Sequence, residues 1–202
     1  MRYFSPLPYL QKSDSTAMNQ TQLDAIQVEL QEAIQRSALL GRPGFLIRRL
    51  HQIHCGLFLD ETREYNITPV QYSLMTALGT HGEMDQNTLA QEIGLERTSV
   101  AEVIPRLEAR ELLQRRQSTR DRRVKLVKLS RKGLYLLKKM DVSVQRAHER
   151  TIEGIPPEHR EQFLLHLIKL VEANNDLGSA PFRLDREPRA CPGVFAFARP
   201  AY

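Results

Sequence analysis

The segment between Asp85 and Leu129 constrains the fold more than any other part of the chain, because its hydrophobic period changes once within it. Before Glu111 the apolar residues recur every three or four positions, which predicts two short helices separated by Gly94. After Glu111 the period shortens toward two, which predicts two strands joined by a loop with the sequence STRDRR. Two helices followed by a two-stranded ribbon is the element order of a winged helix-turn-helix. We therefore predict a fold that is mainly α-helical with a small β-wing.

Helix caps and strand patterns set the predicted boundaries in this region. Asp85 caps the first short helix and Glu96 opens the second, while Ser130 caps a long helix after the ribbon. The strands are expected at residues 113–117 and 123–129, with a β-bulge at Val127, where the alternation of polar and apolar residues changes phase. Pro105 lies inside the second short helix and is expected to bend it, because proline removes a backbone hydrogen bond.

Basic residues are concentrated in the same region. Residues 97–139 contain fourteen lysines and arginines against four acidic residues, a net charge of +10, whereas the whole chain carries only +5. Such a block is typical of a surface that binds nucleic acid, because neutralised phosphates release their condensed counterions. The charge alone also fits a solvated basic helix and hairpin. The helix and ribbon pattern around it favours duplex DNA as the partner.

The second short helix is the element expected to enter the major groove, with its N-terminal residues nearest the bases. Arg97 and Arg106 are expected to contact either phosphate or a guanine edge. The other outward residues expected to reach base edges are Thr98, Ser99 and Glu102. At the start of the preceding helix, free backbone N–H groups are expected to assist phosphate contacts. The side chains predicted there are Gln86, Asn87 and Thr88.

The loop STRDRR forms the tip of the predicted wing. Arg120 is expected to enter an adjacent minor groove, where the negative potential of a narrow A·T tract favours a guanidinium. Arg116, Arg122 and Arg123 are further candidate DNA contacts. Asp121 has two open interpretations: it pairs with one of the neighbouring arginines and fixes the loop, or it simply favours the geometry of a turn.

The rest of the chain is predicted to be helical around this reading head, which spans about 66–130. Helices at about 21–63 and 131–176 carry apolar stripes, so we expect N- and C-terminal dimerisation helices. The predicted divisions are a flexible arm at 1–20, a winged-helix domain at 21–176 and a disordered tail at 177–202. Met18 is an alternative start to Met1.

Composition excludes several classes of protein. A chain of 202 residues with 41% hydrophobic residues can bury one good core, so a single domain is expected. No apolar run approaches the roughly 18 residues that span a bilayer, and the first residues lack the apolar stretch of a secretory signal. Cys55 and Cys191 lie far apart in the sequence, which favours a reducing compartment. We therefore expect a cytoplasmic protein with no membrane partner.

Three stretches of the chain resemble the MarR family of bacterial transcription regulators. They are ITPVQYSLMTAL, QNTLAQEIGLERTSVAEVIPRLEARELLQRR and STRDRRVKLVKLSRKG, and the resemblance runs from about Leu46 to Val171. It implies an obligate homodimer, with interlocked terminal helices, that represses transcription from a pseudo-palindromic DNA operator. It also implies release by a small phenolic or aromatic carboxylate effector, no enzymatic activity and no cofactor. Pro105 departs from the family, which often has a polar residue there.

A narrower resemblance concerns the second predicted helix. The stretch RPGFLIRRLHQIH, followed by ITPVQY, resembles the branch of the family that represses nicotinate catabolism and senses a hydroxylated nicotinate. The effector is expected where this helix meets the one after Thr68. Arg48 is expected to hold a carboxylate, and His51 and His54 to bond a ring substituent. The residues expected to line the ring are Phe45, Phe58, Tyr72 and Met75.

The same residues allow other interpretations, and each histidine taken alone is about as well explained by an ordinary structural role. His51, His54 and Cys55 offer nitrogen and sulfur donors for zinc, either in a zinc-responsive regulator or in a metallo-hydrolase. Cys55 is alternatively a redox-sensing thiol or an inert buried one. A helical scaffold with a basic face for RNA or a protein partner also stays open.

Overall fold

The computed structural model describes residues 20–178 and 180–182, so the predicted arm and most of the predicted tail lie outside the described residues. The chain divides into two compact units, Met1–Leu50 and His51–Tyr202. The helices are α1 (Gln20–Arg36), α2 (Pro43–Glu61), α3 (Pro69–His81), α4 (Gln86–Glu92), α5 (Arg97–Ala109), α6 (Arg131–Ile152) and α7 (Pro157–Asn174). The strands are β1 (Met84–Asp85), β2 (Leu113–Gln117) and β3 (Lys125–Leu129).

The first unit contains α1 and the beginning of α2. A short 3-10 helix over Ala38–Gly41 follows α1, and its N-cap Ser37 accepts a hydrogen bond from the Leu39 N–H (3.3 Å). The apolar stripe predicted on α1 is present, but Leu23, Ile26 and Leu30 are all exposed. None of the described side chains of α1 is buried.

The start of α3 illustrates how local chemistry sets an element. The Thr68 hydroxyl accepts the Gln71 backbone N–H, while the Gln71 side chain accepts the Thr68 backbone N–H, a reciprocal capping box. Pro69 occupies the first helical position, where its missing N–H costs nothing. The helix passes through Gly79 and ends at His81, and Gly82 supplies the positive φ of 76° that follows.

The sheet has three antiparallel strands in the order β1-β3-β2. Pairing of β2 with β3 is continuous from Leu113 opposite Leu129 to Gln117 opposite Lys125, so the predicted bulge at Val127 is wrong. The phase change that suggested it arises because Val127 is fully buried while its neighbour Leu126 is half-buried on the other face. β1 was not predicted, since two residues are too few to show a period.

The core of the second unit lies beneath α5. The inward stripe Val100, Ile104 and Leu107 is fully buried, as predicted, and packs in one cluster with the apolar faces of α3, α4, α6 and the sheet. α6 begins at the predicted cap, where the Ser130 hydroxyl accepts the Gly133 N–H (3.0 Å). A Cβ at Gly133 would overlap the Leu112 carbonyl oxygen, so the residue must be glycine for α6 to approach the base of the wing this closely.

The last helix, α7, has no buried residue among those described. It exposes an apolar series that includes Leu164, Leu165, Ile168 and Val171. A helix that leaves such a face open in an isolated chain is typical of an element that packs against another molecule. None of the described helices is both long and apolar enough to cross a membrane.

Candidate DNA-binding face and histidine cluster

Asp85 organises the first turn of α4. Its carboxylate accepts hydrogen bonds from the backbone N–H groups of Asn87 (2.9 Å) and Thr88 (3.0 Å), and from the Thr88 hydroxyl (2.5 Å). Partial burial opposes ionisation of this carboxyl, but the hydrogen bonds from Thr88 and Asn87 outweigh burial and lower the pKa of Asp85. The sequence predicted free N–H groups at this helix end. Those of Asn87 and Thr88 are instead bonded to the cap.

α5 presents its predicted contact residues to solvent. All are exposed: Arg97, Thr98, Ser99, Glu102 and Arg106. No side chain caps the helix at Glu96, so the first-turn N–H groups, at the positive end of the helix dipole, carry no side-chain cap bond. The helix is continuous across Pro105, whose ring is exposed. The proline therefore costs one backbone hydrogen bond without ending the helix.

Short-range hydrogen bonds shape the wing tip. The Ser118 hydroxyl accepts the backbone N–H groups of Arg120 (3.2 Å) and Asp121 (3.4 Å). The Asp121 carboxylate accepts the Arg123 backbone N–H (2.9 Å), which closes an Asx-type turn. Of the two interpretations of Asp121, the geometry of the turn is the one that this contact supports. The side chains of Arg120, Arg122 and Arg123 are exposed.

A polar groove joins the three elements of the head. Its volume is about 280 Å³, and it is lined by Asp85, Gln86, Asn87, Arg97, Arg123, Val124 and Lys125. Four residues predicted separately from the sequence, Gln86, Asn87, Arg97 and Arg123, thus share one surface depression between α4, α5 and the wing. Lys125 was not among the predicted contacts, although its place at the start of β3 beside the loop STRDRR would have indicated it. Three cations in a concave polar site favour an anionic oxygen.

Arg116 differs from the other predicted contacts. Its guanidinium makes two bonds to the Glu83 carboxylate, one from Nε (2.8 Å) and one from the outer nitrogen. This bidentate pair links β2 to the turn before β1, and Arg116 is exposed in part. A guanidinium already held by a carboxylate must exchange that partner before it can bind a phosphate with the same donors.

The predicted effector residues of the second unit lie near α6. The Thr151 hydroxyl donates to the Ala147 carbonyl (2.7 Å), and it lies 2.8 Å from His54 Nδ1. Because a hydroxyl has a single hydrogen, Nδ1 of His54 must be the donor in the second bond. His148 stacks on His54 with ring centroids 5.1 Å apart and an interplanar angle of 17°. We refer to His51, His54, His148 and Thr151 as the histidine cluster.

The histidine cluster disfavours positive charge. Burial, followed by the charges of His148 and His51, lowers the pKa of His54. Burial also lowers the pKa of His148. Both imidazoles are consequently neutral at pH 7, and the stack is a contact between two uncharged rings. In this state His54 carries its proton on Nδ1 and leaves Nε2 as a hydrogen-bond acceptor.

Aromatic packing continues from the histidine cluster into the core. The Phe58 ring lies 6.3 Å from the His54 ring and 5.6 Å from the Tyr72 ring, and burial raises the pKa of Tyr72. Phe58 and Met75 are almost completely buried and belong to the core of the unit. In the first unit, the Arg48 guanidinium lies 5.4 Å from the centroid of the Phe45 ring, a cation–π distance.

Two members of the histidine cluster, His148 and Thr151, were missed in the sequence. They flank the buried face of α6 that carries Val144 and Ala147, so the helical period of α6 would have placed them near another helix. The bond between His54 and Thr151 spans 97 residues of chain. No local pattern indicates which residue on one helix meets which residue on another.

The metal alternative receives no geometric support. Within residues 20–178 and 180–182, no group of three or more histidine, cysteine, aspartate or glutamate side chains could hold a metal ion. The Cys55 sulfur lies 3.6 Å from His51 Nε2, on the same face of α2, and Cys55 is half-buried.

Comparison with known proteins agrees with this geometry. The model of the MarR family matches residues 67–125, which run from the residue before the α3 cap to the start of β3. The repressor NicR of Pseudomonas putida is 27% identical over 135 residues, which cover 67% of this chain and 85% of NicR. The crystal structure of the PcaV regulator of Streptomyces coelicolor, in complex with its natural ligand, is 30% identical, with a TM-score of 0.61; the match covers 65% of this chain and 93% of PcaV.

The chain belongs to the MarR family.

A third relative combines both halves of the geometry. BpsR of Bordetella bronchiseptica, whose DNA binding is regulated by 6-hydroxynicotinic acid, is 27% identical with a TM-score of 0.62, and the match covers 65% of this chain and 94% of BpsR. MarR proteins are transcription regulators rather than enzymes, so the metallo-hydrolase interpretation is excluded by family rather than by the absence of a metal. The predicted fold class, a winged helix-turn-helix with flanking helices, is confirmed.

Proposed function

We propose that this MarR protein is a homodimeric repressor that binds a pseudo-palindromic DNA operator and is released by a small aromatic carboxylate or phenolic ligand. The observation that carries the proposal is the groove where Gln86, Asn87, Arg97 and Arg123 meet. It lies where the phosphate backbone would pass between the helix-turn-helix and the wing. Work on an operator also accords with the cytoplasmic location that the sequence predicts.

In the proposed complex, α5 enters the major groove. Thr98, Ser99, Glu102 and Arg106 are the base-reading candidates because they are exposed on the face opposite the buried stripe. Arg97 and Arg123 bind phosphate from the groove, with Gln86 and Asn87 beside them. Arg120 enters the minor groove from the wing tip. Arg116 has a secondary role, because Glu83 already holds its guanidinium.

The homodimer is supported by unsatisfied apolar surface. Leu23 and Ile26 on α1, and Ile168 and Val171 on α7, are between 40% and 52% exposed. A second copy of the chain can cover both faces in a twofold interface, and two heads related by a twofold axis read two half-sites of a palindrome. The half-sites are then expected about 10 base pairs apart, or a multiple of that spacing.

The histidine cluster is the proposed effector site in the second unit. Neutral His54 offers Nε2 as an acceptor for a ring hydroxyl or a protonated ring nitrogen, while Phe58 and Tyr72 supply aromatic surface nearby. A hydroxylated nicotinate is the favoured ligand, since NicR and BpsR are relatives and BpsR responds to 6-hydroxynicotinic acid. Arg48, as the carboxylate contact, and Phe45, as a ring contact, remain predictions from the sequence.

Release requires a difference in ligand affinity between two states. The effector dissociates the complex only if it binds the arrangement of heads that does not fit DNA more tightly than the arrangement that does. α6 connects the two regions, because it begins at the base of the wing and carries His148 and Thr151 toward its other end. A ligand that changes the contacts of His54 with α6 can therefore alter the position of the head.

The test begins with selection of a duplex from a random-sequence pool by the full-length protein. The proposal predicts a palindromic consensus, and a mobility-shift titration in which 6-hydroxynicotinic acid weakens binding. Nicotinic acid, which lacks the hydroxyl, is the matched control and should act only at much higher concentration. Recovery of sequences with no consensus would overturn the DNA-reading role. A consensus that binds equally well with and without 6-hydroxynicotinic acid would overturn the proposed effector alone.

A further inference from the structure

The end of α7 folds back onto the reading head. Asn175 makes two hydrogen bonds to the backbone of Phe182: its Nδ2 donates to the carbonyl, and its Oδ1 accepts the N–H, both at 2.8 Å. An amide that bonds both polar groups of one residue holds that residue much as a neighbouring β-strand would. We call Asn175 together with Ala180, Pro181 and Phe182 the C-terminal bracket.

The bracket lies against the turn between α4 and α5. Gly94, which forms that turn with a φ of 62°, faces the Phe182 side chain and the Ala180 carbonyl at van der Waals distance. Ala180 and Pro181 also line a depression of about 390 Å³ together with Asn87, Ala90, Gln91, Leu95, Glu96 and Arg97. Asn87 and Arg97 belong as well to the groove proposed for phosphate. The chain therefore leaves the bracket beside the proposed DNA-binding face.

The residues after the bracket are basic and close enough to be useful. The segment 183–202 contains Arg183, Arg186, Arg189 and Arg199 against two acidic residues, Asp185 and Glu187. An extended chain advances by at most about 3.5 Å per residue, so Arg189 can reach about 25 Å from Phe182. That distance spans the phosphates next to a bound recognition helix. The segment also lies beyond Val171, where the family resemblance in the sequence ends.

We propose that residues 183–202 form a C-terminal arm that binds the DNA backbone next to the site of the helix-turn-helix, and that the bracket fixes where this arm begins. The proposal rests on the proposed function, because it requires that the head binds duplex DNA. The chemistry is that of a short basic peptide on phosphate, which adds affinity and salt dependence without reading sequence. The arm extends the contacted length of DNA beyond the operator core.

The experiment compares variants of the full chain on the selected duplex, made with and without about 10 base pairs of flanking DNA on each side. Removal of residues 183–202 should weaken binding to the flanked duplex about tenfold at physiological salt, and lower the salt slope by about 0.9 for each phosphate that the arm no longer neutralises. The trimmed duplex should show little change. Replacement of Arg186 and Arg189 by glutamine should give an intermediate effect. The double change Lys138→Gln and Lys169→Gln, at exposed residues of α6 and α7, is the charge-matched control.

The bracket is tested separately by Asn175→Leu, which keeps the volume of the side chain and removes both bonds to Phe182. It should reproduce a large part of the decrease in affinity that truncation causes on the flanked duplex. Unchanged affinity and salt slope after truncation would overturn the arm, and tighter binding would show instead that the segment blocks the head. An arginine-dependent decrease without any effect of Asn175→Leu would overturn the role of the bracket. Failure of the intact protein to bind any selected duplex would be a failure of the proposed function.

Discussion

The DNA-binding face and the histidine cluster are built on different principles. On the DNA-binding face, side chains are set by hydrogen bonds between residues two or three positions apart, as at Asp85 with Thr88 and at Asp121 with Arg123. In the histidine cluster, the contact of His54 with Thr151 spans 97 residues and joins two helices. The first region can therefore keep its shape while it moves as a body. The second region changes whenever the helices that form it shift.

The largest effect is expected where the head is attached to α6. Gly133→Ala should destabilise the protein by about 2 to 4 kcal/mol, because the new Cβ overlaps the Leu112 carbonyl and a backbone must shift. Thermal and urea unfolding measure the change. Gly56→Ala, within α2 where no atom lies within 4 Å of an added Cβ, is the control and should be neutral or stabilising by up to about 1 kcal/mol. Equal stability of both variants would contradict a rigid attachment of the head.

A smaller effect, confined to DNA affinity, is expected from the groove. Arg97→Ala and Arg123→Ala should each weaken binding to the selected duplex by about 1 to 3 kcal/mol, roughly 5- to 150-fold, with unchanged unfolding. Arg116→Ala should cost less, because Glu83 competes with DNA for that guanidinium. Mobility-shift titrations on the same duplex give the three values. A greater decrease for Arg116 than for Arg97 would contradict the proposed docking.

The histidine cluster should respond in a different way. Thr151→Val removes the acceptor for His54 Nδ1–H and should cost about 1 kcal/mol of stability. Nitrogen NMR should find the Nδ1–H tautomer of His54 in the wild type and a mixture in the variant. Thr80→Val is the matched control, since the Thr80 hydroxyl also bonds the carbonyl four residues earlier (3.0 Å) but has no histidine partner among its described contacts. A His54 ring with the same tautomer in both proteins would contradict the assignment.

The smallest effect concerns pH. Because the pKa values of His54 and His148 are lowered from 6.5 in the folded protein, the unfolded chain takes up protons first as the pH falls. Stability should therefore decrease as the pH falls below about 6.5, and level off once the pH is below the folded pKa values. Urea unfolding between about pH 7.5 and 5 measures the slope. His54→Gln should flatten it, and a slope that is unchanged in this variant would assign the titration to other groups.

The two regions were not equally predictable from the sequence. The capped helices and the ribbon were found because each signal lies within a few residues, as at Thr68 and Gln71 or at Ser130 and Gly133. The errors within the head have the same origin: β1 has only two residues, and a half-buried Leu126 imitated a bulge. The roles of individual side chains in DNA contact remain predictions.

The histidine cluster shows why the rest was out of reach. His51 and His54 were predicted because they share one helix, whereas His148 and Thr151 depend on how α6 packs against α2. The bracket of Asn175 and Phe182 is a second example, since no periodicity indicates that a chain end will fold onto the turn at Gly94. Contacts between distant segments follow from packing, which a single sequence does not display.

The central claim is that the head binds DNA and the histidine cluster decides when it lets go. Fluorescence anisotropy of the labelled selected duplex, titrated with 6-hydroxynicotinic acid, tests this most directly in the wild type and in Thr151→Val. The expected result is release of the wild type, together with a variant that binds the duplex equally well but needs a much higher ligand concentration for release. Identical ligand curves for the two proteins, or an equal decrease in DNA affinity with and without ligand, would contradict it.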